Sequence, residues 1–246
     1  MRPNNRNGRC IGLIEKIIDI IFPRRCPICD GISRDGLACD SCKGKIKHVN
    51  DPFCIKCGKP LKKPSIVKCE DCTNKNMSYN ENRAVFVYDD YMRKSIYRFK
   101  YGGRREYASF YAKEIFSMYE DKIASWKPDV IIPIPIHKSK LKKRGYNQAY
   151  LIAKELSYLT KIPVDTKVVY RDKKTEIQKN LGATERSINL KNAFKMNSNG
   201  VQYLSAMLID DIYTTGATMC SVANILRDGG FADVYCISVC IGTSVQ

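Results

Sequence analysis

The segment LIDDIYTTGATM, Leu208 to Met219, gives the clearest indication of the fold. It begins with a short apolar run, typical of a buried strand, that ends in two adjacent acids, Asp210 and Asp211. A turn rich in threonine and glycine follows, and a helical pattern begins near Thr218. Two interpretations are open. The segment can be an ordinary strand end with a helix cap, or it can bind a sugar phosphate.

The chemistry of this segment suits a ligand with a 5′-phosphate, vicinal ribose hydroxyls and a pyrophosphate. Ionised carboxylates accept hydrogen bonds, so Asp210 and Asp211 suit the two hydroxyls and would help to hold Mg²⁺ near the pyrophosphate. The turn offers N–H groups and hydroxyls at a helix start, where the helix dipole favours an anion. Its glycine allows close approach of the backbone. The residues expected around the phosphate are Tyr213, Thr214, Thr215, Gly216, Ala217 and Thr218.

Short β-branched runs alternate with longer helical patterns on both sides of this segment. Such alternation predicts an α/β fold, with a mainly parallel sheet and helices on both faces. Ligands bind these sheets at the carboxyl ends of the strands. The predicted strands are 84–88, 129–135, 167–170, 206–210 and 234–239, and the predicted helices are 92–99, 105–121, 146–159 and 218–228.

A second predicted strand end carries a basic segment, PIPIHKSKLKKRGYNQA, from Pro133 to Ala149. Five of the seven residues from Lys138 to Arg144 are basic and none is acidic. A pyrophosphate site would use this charge, a DNA backbone would too, and a solvated loop is the third interpretation. Neither a G-x-x-x-x-G-K-[ST] loop nor a G-x-G-x-x-G motif occurs in the sequence. The usual nucleotide-binding motifs are therefore excluded.

Twelve cysteines are present, and eight of them form four C-x-x-C pairs in the first third of the chain. A reducing compartment favours metal over disulfides for such pairs. Two pairs supply the tetrahedral sulfur set that Zn²⁺ prefers, so we expect two structural zinc sites with no position left for a catalytic water. An iron–sulfur cluster and redox-active dithiols are the alternatives. The expected ligands are Cys26, Cys29, Cys39, Cys42, Cys54, Cys57, Cys69 and Cys72.

Spacing does not determine which C-x-x-C pairs share an ion. Sequential pairing joins the first pair to the second, and a cross-braced arrangement joins the first to the third. His48 lies between the clusters and could replace a thiolate, but eight cysteines leave no vacancy. The three later cysteines lack this spacing and are predicted to be core thiols. They are Cys220, Cys236 and Cys240.

The net charge of +17, from 42 basic and 25 acidic residues, favours polyanions, phosphorylated ligands or anionic membranes as partners. The apolar run Ile11–Phe22 is too short and too interrupted to cross a bilayer, and its periodicity fits an amphipathic helix stopped by Pro23. With neither a signal peptide nor a span, we expect a cytoplasmic protein. The length accommodates one large core and a small module.

Several motifs in order resemble the ComF family (competence protein FC). They are FPRRCPIC, the paired cysteine clusters, KYGGR (Lys100–Arg104), PIPIHKSKLKKRGYNQA, TEIQKNL and LIDDIYTTGAT. The last also resembles the 5-phosphoribosyl-1-pyrophosphate (PRPP) motif of type I phosphoribosyltransferases. The resemblance covers the chain from about Phe22 and implies a double zinc ribbon at 23–78 and a parallel-sheet type I phosphoribosyltransferase domain at 79–246. The amphipathic helix, predicted from its periodicity, is the unit before them, at 1–22. It also implies a role in DNA uptake during natural transformation.

The resemblance carries over to individual residues. It implies that Asp210 and Asp211 hold ribose and that residues 214–218 hold the 5′-phosphate. The RGFNQ signature of the family is matched by Arg144–Gln148, with Tyr146 in place of Phe, and Arg144 joins the two acids as a catalytic residue. The pyrophosphate loop is matched by Ile136, His137 and Lys138, and the mobile segment by Thr175, Gln178 and Arg186.

Three functions fit these features. The first is a phosphoribosyltransferase that displaces pyrophosphate at C1′, with Mg²⁺ and Lys138 stabilising the leaving group, for an acceptor that nothing identifies. The second is a PRPP-binding protein without turnover. The third is a single-stranded DNA-handling factor that works with other competence proteins. Aromatic and basic residues between Tyr97 and Tyr107 would permit base stacking, although such aromatics at helical spacing are typical of a core.

Overall fold

The computed structural model describes residues 23–33, 35–172, 193–197 and 203–243. The predicted helix at 1–22 lies outside the described residues. So does the segment with Thr175, Gln178 and Arg186. No helix in the described ranges combines the length and the apolar character needed to cross a bilayer.

The central sheet consists of four parallel strands that are mostly buried on both faces. They are β1 (Glu81–Val87), β2 (Val130–Pro133), β5 (Ser205–Tyr213) and β6 (Asp233–Ile241). Their order across the sheet is β1-β6-β5-β2. Strands rich in Val and Ile, such as the wholly buried VIIP of β2, are typical of a sheet covered on both sides. The predicted parallel α/β class is confirmed.

Helices cover the sheet on both faces. The described residues form α1 (Asp40–Lys43), α2 (Glu70–Asn74), α3 (Asp90–Tyr101), α4 (Tyr107–Trp126), α5 (Lys138–Arg144), α6 (Gln148–Thr160) and α7 (Ala217–Asp228). Met207 and Ile209 of β5 lie in one core with α3, α4 and α6, and Ala206 and Leu208 lie in a second core with α7.

One predicted strand is wrongly placed in the central sheet. The run at 167–170 contributes to β3 (Val169–Arg171), which pairs antiparallel with β4 (Phe194–Met196) in a separate two-stranded sheet. In β3 Val169 is buried, Tyr170 is exposed and Arg171 is half-buried, whereas a strand inside a parallel sheet is buried on both faces. The small sheet packs with α7 on the second face.

Strand β5 is longer than predicted and continues through both acids to Tyr213. It can do so because β6 runs alongside it, pairing Ile212 with Cys240. On the other side β2 ends at Pro133, opposite Ile209. Asp210 and Asp211 therefore project past the end of one neighbouring strand, which leaves room for other side chains to approach them.

The cysteine-rich module lies against both faces of the sheet. Its first cluster contributes Cys26 and Cys42 to the core with α3 and α4, and its second contributes Cys54 and Cys57 to the core with α7. Between the clusters the chain hydrogen-bonds to β1, where the Val49 N–H donates to the Val85 carbonyl at 2.8 Å. The module therefore completes the hydrophobic cores of the α/β domain.

Candidate functional site

Asp210 and Asp211 meet different partners, because successive strand residues point to opposite faces. Asp211 is buried, and its Oδ1 accepts a hydrogen bond from Lys100 Nζ of α3 at 2.8 Å. Asp210 is half-buried, and its Oδ1 accepts the Asp211 N–H at 2.8 Å. The guanidinium of Arg171, on β3, lies near Asp210 and favours its ionised form. Each carboxylate therefore faces a cation from a different element.

The two carboxylates also repel each other. Withdrawal from solvent and the charge of Asp211 raise the pKa of Asp210 well above the ordinary carboxyl value, against the opposing effect of Lys100 and Arg171. A carboxyl of this kind is ionised more readily when a cation or a hydrogen-bond donor arrives beside it. The pair is thus suited to Mg²⁺ or to ribose hydroxyls.

The turn after β5 exposes the start of a twelve-residue helix, α7. Gly216 adopts a left-handed conformation with φ of 77°, and a Cβ at this position would overlap the Tyr213 hydroxyl. Thr214 and Thr215 are exposed, and Thr215 Oγ1 accepts the Ala217 N–H at 3.4 Å. Thr218 is half-buried within the first turn. The first N–H groups of a helix have no acceptor within it, so the start of α7 can bind an anion.

Tyr213 supports this turn from beneath. Its side chain is buried, and its hydroxyl is 2.7 Å from the hydroxyl of Tyr79. The side chain therefore faces the protein interior, and the Tyr213 carbonyl accepts the Gly242 N–H at 3.0 Å.

The basic segment after β2 is a helix, α5, and not a loop. His137 caps it by accepting the Ser139 N–H at 3.1 Å, and Gly145 ends it in a left-handed conformation with φ of 78°. Ile136 and His137 are half-buried and precede its first turn. Lys138, Lys142 and Lys143 are exposed, whereas Lys140 and Arg144 are half-buried.

The half-buried cations of α5 lie near Lys100 and Arg171, the cations next to the two acids. Arg144 donates to Gln148 Oε1 at 2.8 Å and to the Tyr101 hydroxyl at 2.9 Å, and its guanidinium lies 4.9 Å from the centre of the Tyr101 ring. Burial lowers the pKa of Lys140, and the nearby charges of Arg171 and Arg144 lower it further. Four cations therefore surround one end of β5. They are Lys100, Lys140, Arg144 and Arg171.

A cavity of about 600 Å³ opens between α3 and α5 beside this cluster. Tyr97 and Tyr101 expose 64% and 51% of their surface there, with ring centres 5.2 Å apart. The other lining residues are Lys100, Gly103, Lys143 and Arg144. A second cavity, of about 760 Å³, lies beside His48 and Glu114, and among its lining residues in the described ranges Lys47 alone carries a permanent positive charge.

Sequence reasoning assigned no role to three of the cations in this cluster. Lys100 could have been found, because it begins the KYGGR motif. Lys140 belonged to the basic run without being distinguished from its neighbours. Arg171 lies in no motif, and only the packing of β3 brings it to Asp210.

The eight paired cysteines form two clusters in which the sulfur atoms all lie within 4.8 Å of one another. Four converging thiolates are the ligand set that structural Zn²⁺ requires, so these residues fit the ion. His48 is not in either set, since its Nε2 lies 2.9 Å from Glu114 Oε2. Pairing is sequential: Cys26, Cys29, Cys39 and Cys42 in one cluster, and Cys54, Cys57, Cys69 and Cys72 in the other.

The later cysteines have no such arrangement. Cys236 and Cys240 are fully buried, as predicted, and burial raises the pKa of each thiol. Cys220 is only half-buried, with its sulfur 3.3 Å from the sulfur of Met77.

Residues 17–73 match the model of the double zinc ribbon domain family. The match, together with the two clusters, confirms the predicted zinc module. Competence protein ComFC of Bacillus subtilis is 31% identical over 204 residues, which cover 80% of this chain and 81% of that protein. Competence protein F of Haemophilus influenzae is 31% identical over 221 residues, covering 87% and 95%.

More distant similarities are also found. The DNA utilization protein YhgH of Salmonella typhimurium is 29% identical over 191 residues, covering 76% of this chain and 83% of that protein. Among solved structures, a purine phosphoribosyltransferase from Pyrococcus horikoshii has a TM-score of 0.33 at 18% identity, covering 58% of this chain and 77% of the other. An adenine phosphoribosyltransferase from Saccharomyces cerevisiae has a TM-score of 0.35 at 14% identity, covering 60% and 73%.

Proposed function

Since the chain belongs to the family of competence proteins ComFC and F, we propose that its α/β domain binds PRPP with Mg²⁺ and that the protein serves DNA uptake in natural transformation. One observation carries the proposal. The carboxylate pair, the exposed start of α7 and four cations all lie around the end of β5. A phosphorylated pentose with a pyrophosphate offers the complementary groups: hydroxyl donors, a phosphate and a polyanion.

In this proposal each part of PRPP has its own set of residues. Asp210 and Asp211 accept the ribose hydroxyls and supply carboxylate oxygens to Mg²⁺, which would neutralise charge on the pyrophosphate. Residues 214–218 bind the 5′-phosphate through backbone N–H groups and hydroxyls. The pyrophosphate lies against the 136–138 segment and the cations Lys140 and Arg144.

Turnover, if PRPP is consumed, would be transfer of the phosphoribosyl group with release of pyrophosphate. The cations of α5 would stabilise the charge that develops on the leaving group, and Lys100 would hold Asp211 in place. The acceptor is not identified by any residue at the site. Binding without turnover uses the same contacts, so the two versions differ only in pyrophosphate release.

Calorimetry with PRPP and Mg²⁺ tests the proposal. The double variant Asp210→Asn with Asp211→Asn is expected to abolish binding. Neutral amides bind Mg²⁺ and accept hydrogen bonds from hydroxyls more weakly than ionised carboxylates do. Asp228→Asn, an exposed acid at the far end of α7, is the matched control and should bind like the wild type. Unchanged affinity in the double variant, or no binding by the wild type, would refute the proposal. A coupled pyrophosphate assay then separates transfer from binding.

A second candidate function, single-stranded DNA handling, is favoured by the cavity between α3 and α5. Exposed aromatic rings in tandem beside cations are the features that bind single strands, because bases stack on the rings while cations contact phosphates. Tyr97, Tyr101, Lys143 and Arg144 supply both features here. The zinc module would take part in this function, and other competence proteins would be partners.

Charge reversal tests the DNA candidate. Lys142→Glu with Lys143→Glu should weaken binding of a labelled single-stranded oligonucleotide and lower the salt dependence, by about 0.7 in the log–log slope for each phosphate that the protein no longer neutralises. Lys113→Glu with Lys154→Glu changes the net charge equally at exposed positions on α4 and α6. Equal reductions of affinity in both variants would indicate only a general charge effect and would count against this cavity.

A further inference from the structure

The first cysteine cluster is connected to the junction between α3 and α4 through one acidic residue, Asp30, which directly follows Cys29. Its carboxylate accepts two hydrogen bonds from Arg104, Nε at 2.7 Å and Nη2 at 2.8 Å, and a third from the Tyr107 hydroxyl at 2.6 Å. Against the effect of burial, Arg104 and Tyr107 lower the pKa of Asp30. A two-pronged Arg–carboxylate contact fixes orientation as well as distance.

One further hydrogen bond, and a weaker contact of the Tyr107 hydroxyl whose single proton goes mainly to Asp30, hold the same loop. The Arg98 guanidinium donates to the Ile28 carbonyl at 3.0 Å, and the Tyr107 hydroxyl lies 3.2 Å from the Cys26 carbonyl. All these donors belong to the end of α3, the start of α4 or the short link between them. The loop from Cys26 to Asp30 therefore holds the α3–α4 junction from the module side.

The same end of α3 reaches the anion site on its other side. Lys100 binds Asp211, and Tyr101 accepts a hydrogen bond from Arg144. Arg98, which contacts the module, is only two residues before Lys100. A helix end frays unless it is held, and the link that follows contains Gly102 and Gly103, which add backbone freedom. The position of Lys100 therefore depends on what holds this helix end.

We infer that Asp30, in the first cysteine cluster, is a positioning residue of the anion site: through Arg104 it fixes the last turn of α3 and so sets Lys100 against Asp211. Zinc at Cys26, Cys29, Cys39 and Cys42 would fix the loop that presents Asp30, which links occupancy of this cluster to the affinity of the site. The inference rests on the proposed function as far as PRPP is the ligand.

The test compares Asp30→Asn with Asp71→Asn. Asp71 is the matched control, because it also adjoins a cysteine ligand and forms an ion pair within the module, with Lys59 at 2.5 Å. It belongs to the second cluster, whose cysteines lie in the core with α7. Arg104→Gln removes the same interaction from outside the module, in case Asp30→Asn does not fold. Zinc content, measured with a chromogenic chelator, should equal that of the wild type in Arg104→Gln.

Two measurements decide the inference. Amide hydrogen exchange of residues 97–104 should quicken in Asp30→Asn and Arg104→Gln but not in Asp71→Asn. PRPP affinity should fall about tenfold in Asp30→Asn and in Arg104→Gln, within the range usual for coupled sites. In a Lys100→Gln background Asp30→Asn should have almost no further effect, because both changes remove the same interaction.

The outcomes separate this inference from the proposed function. Unchanged exchange at 97–104 in both variants overturns the positioning role, whatever the ligand. An equal loss of affinity with and without Lys100 overturns the route through Lys100 and indicates general destabilisation. No PRPP binding by the wild type refutes the proposed function and with it the link to PRPP, and the exchange comparison then still decides whether Asp30 positions α3.

Discussion

Asp210 and Asp211 are neighbours on β5 with contrasting electrostatic environments. The charge of Asp211 is compensated by Lys100, and both side chains are largely buried. Asp210 is withdrawn from solvent beside that charge, so the folded protein ionises it at an energetic cost. Binding of PRPP and Mg²⁺ would offset this electrostatic cost, so the ionised pair is more stable in the liganded site than in the free site.

The two acids should therefore affect stability in opposite directions. The pKa of Asp210 is higher in the folded protein than in the unfolded chain, where it is about 3.9. The protonated side chain therefore makes its full contribution to folding stability below the unfolded pKa, and this contribution is lost as the pH rises through the folded pKa. At a pH above the folded pKa, Asp210→Asn should raise the free energy of unfolding by about 1 kcal/mol or more. In acid it should change the free energy of unfolding by almost nothing. Asp211→Asn strands the Lys100 ammonium and should cost about 2–3 kcal/mol at neutral pH.

Urea denaturation of both single variants across the acid-to-neutral range provides the measurement. Asp228→Asn is again the control, with no change expected. Destabilisation by both substitutions at neutral pH would contradict the environment described for Asp210.

At the scale of residues, the sequence predicted the site residues that stand together in one segment, and it missed those that only the fold brings to the site. The acids, the threonines and Gly216 stand in one segment whose residue types indicate their chemistry. The burial of Tyr213 could not be predicted, because it depends on Tyr79 from a distant part of the chain. Arg171 could not be predicted for the same reason.

Among the elements, α5 shows why the sequence did not indicate a helix. Leu141 is its only apolar residue, so no hydrophobic periodicity appears, and its boundaries depend on the cap at His137 and on Gly145. Once the helix forms, Lys140 and Arg144 are four residues apart and share one face. That face is half-buried, so the basic residues of α5 fall into two groups, one half-buried and one exposed.

This geometry predicts a difference between two lysines that the sequence does not distinguish. Lys140→Gln should weaken PRPP binding about tenfold, because a half-buried cation beside a polyanion is poorly screened. Lys142→Gln, on the exposed face, should change the affinity by less than about twofold. Calorimetry at two salt concentrations measures both. Equal effects of the two substitutions would show that only the total charge of α5 matters.

The strands show a similar limit on prediction. Residues 167–170 have the β-branched composition of a strand, and part of the run is one, but composition does not specify the partner. This run pairs with β4 in an antiparallel arrangement outside the central sheet. The four runs that do form the sheet were recognisable because they are mainly apolar, as burial on both faces favours.

At the scale of the whole molecule, the zinc module and the α/β domain share their cores. We propose a boundary at residues 78 and 79, yet hydrogen bonds cross it at several places. The Asn82 side chain donates to the Cys57 carbonyl at 2.7 Å, and the Lys56 ammonium donates to the Tyr79 carbonyl. C-x-x-C spacing predicted the clusters, but only the fold shows sequential pairing and contact with both sheet faces.

Chelation is therefore expected to affect the whole protein in a defined order. Residues 23–78 lack a core of their own without zinc, so a strong chelator should open this module first, and limited proteolysis should cut before Cys72. The α/β domain then loses the apolar cover that Ile28 and Val49 supply, so its melting temperature should fall as well. Mass spectrometry of the fragments, thermal denaturation and a zinc assay measure these steps, and restored zinc should reverse them. A chelated protein with unaltered proteolysis before Cys72 would contradict a structural role for zinc, because an ion that folds the module cannot leave it without exposing the backbone that the ion holds.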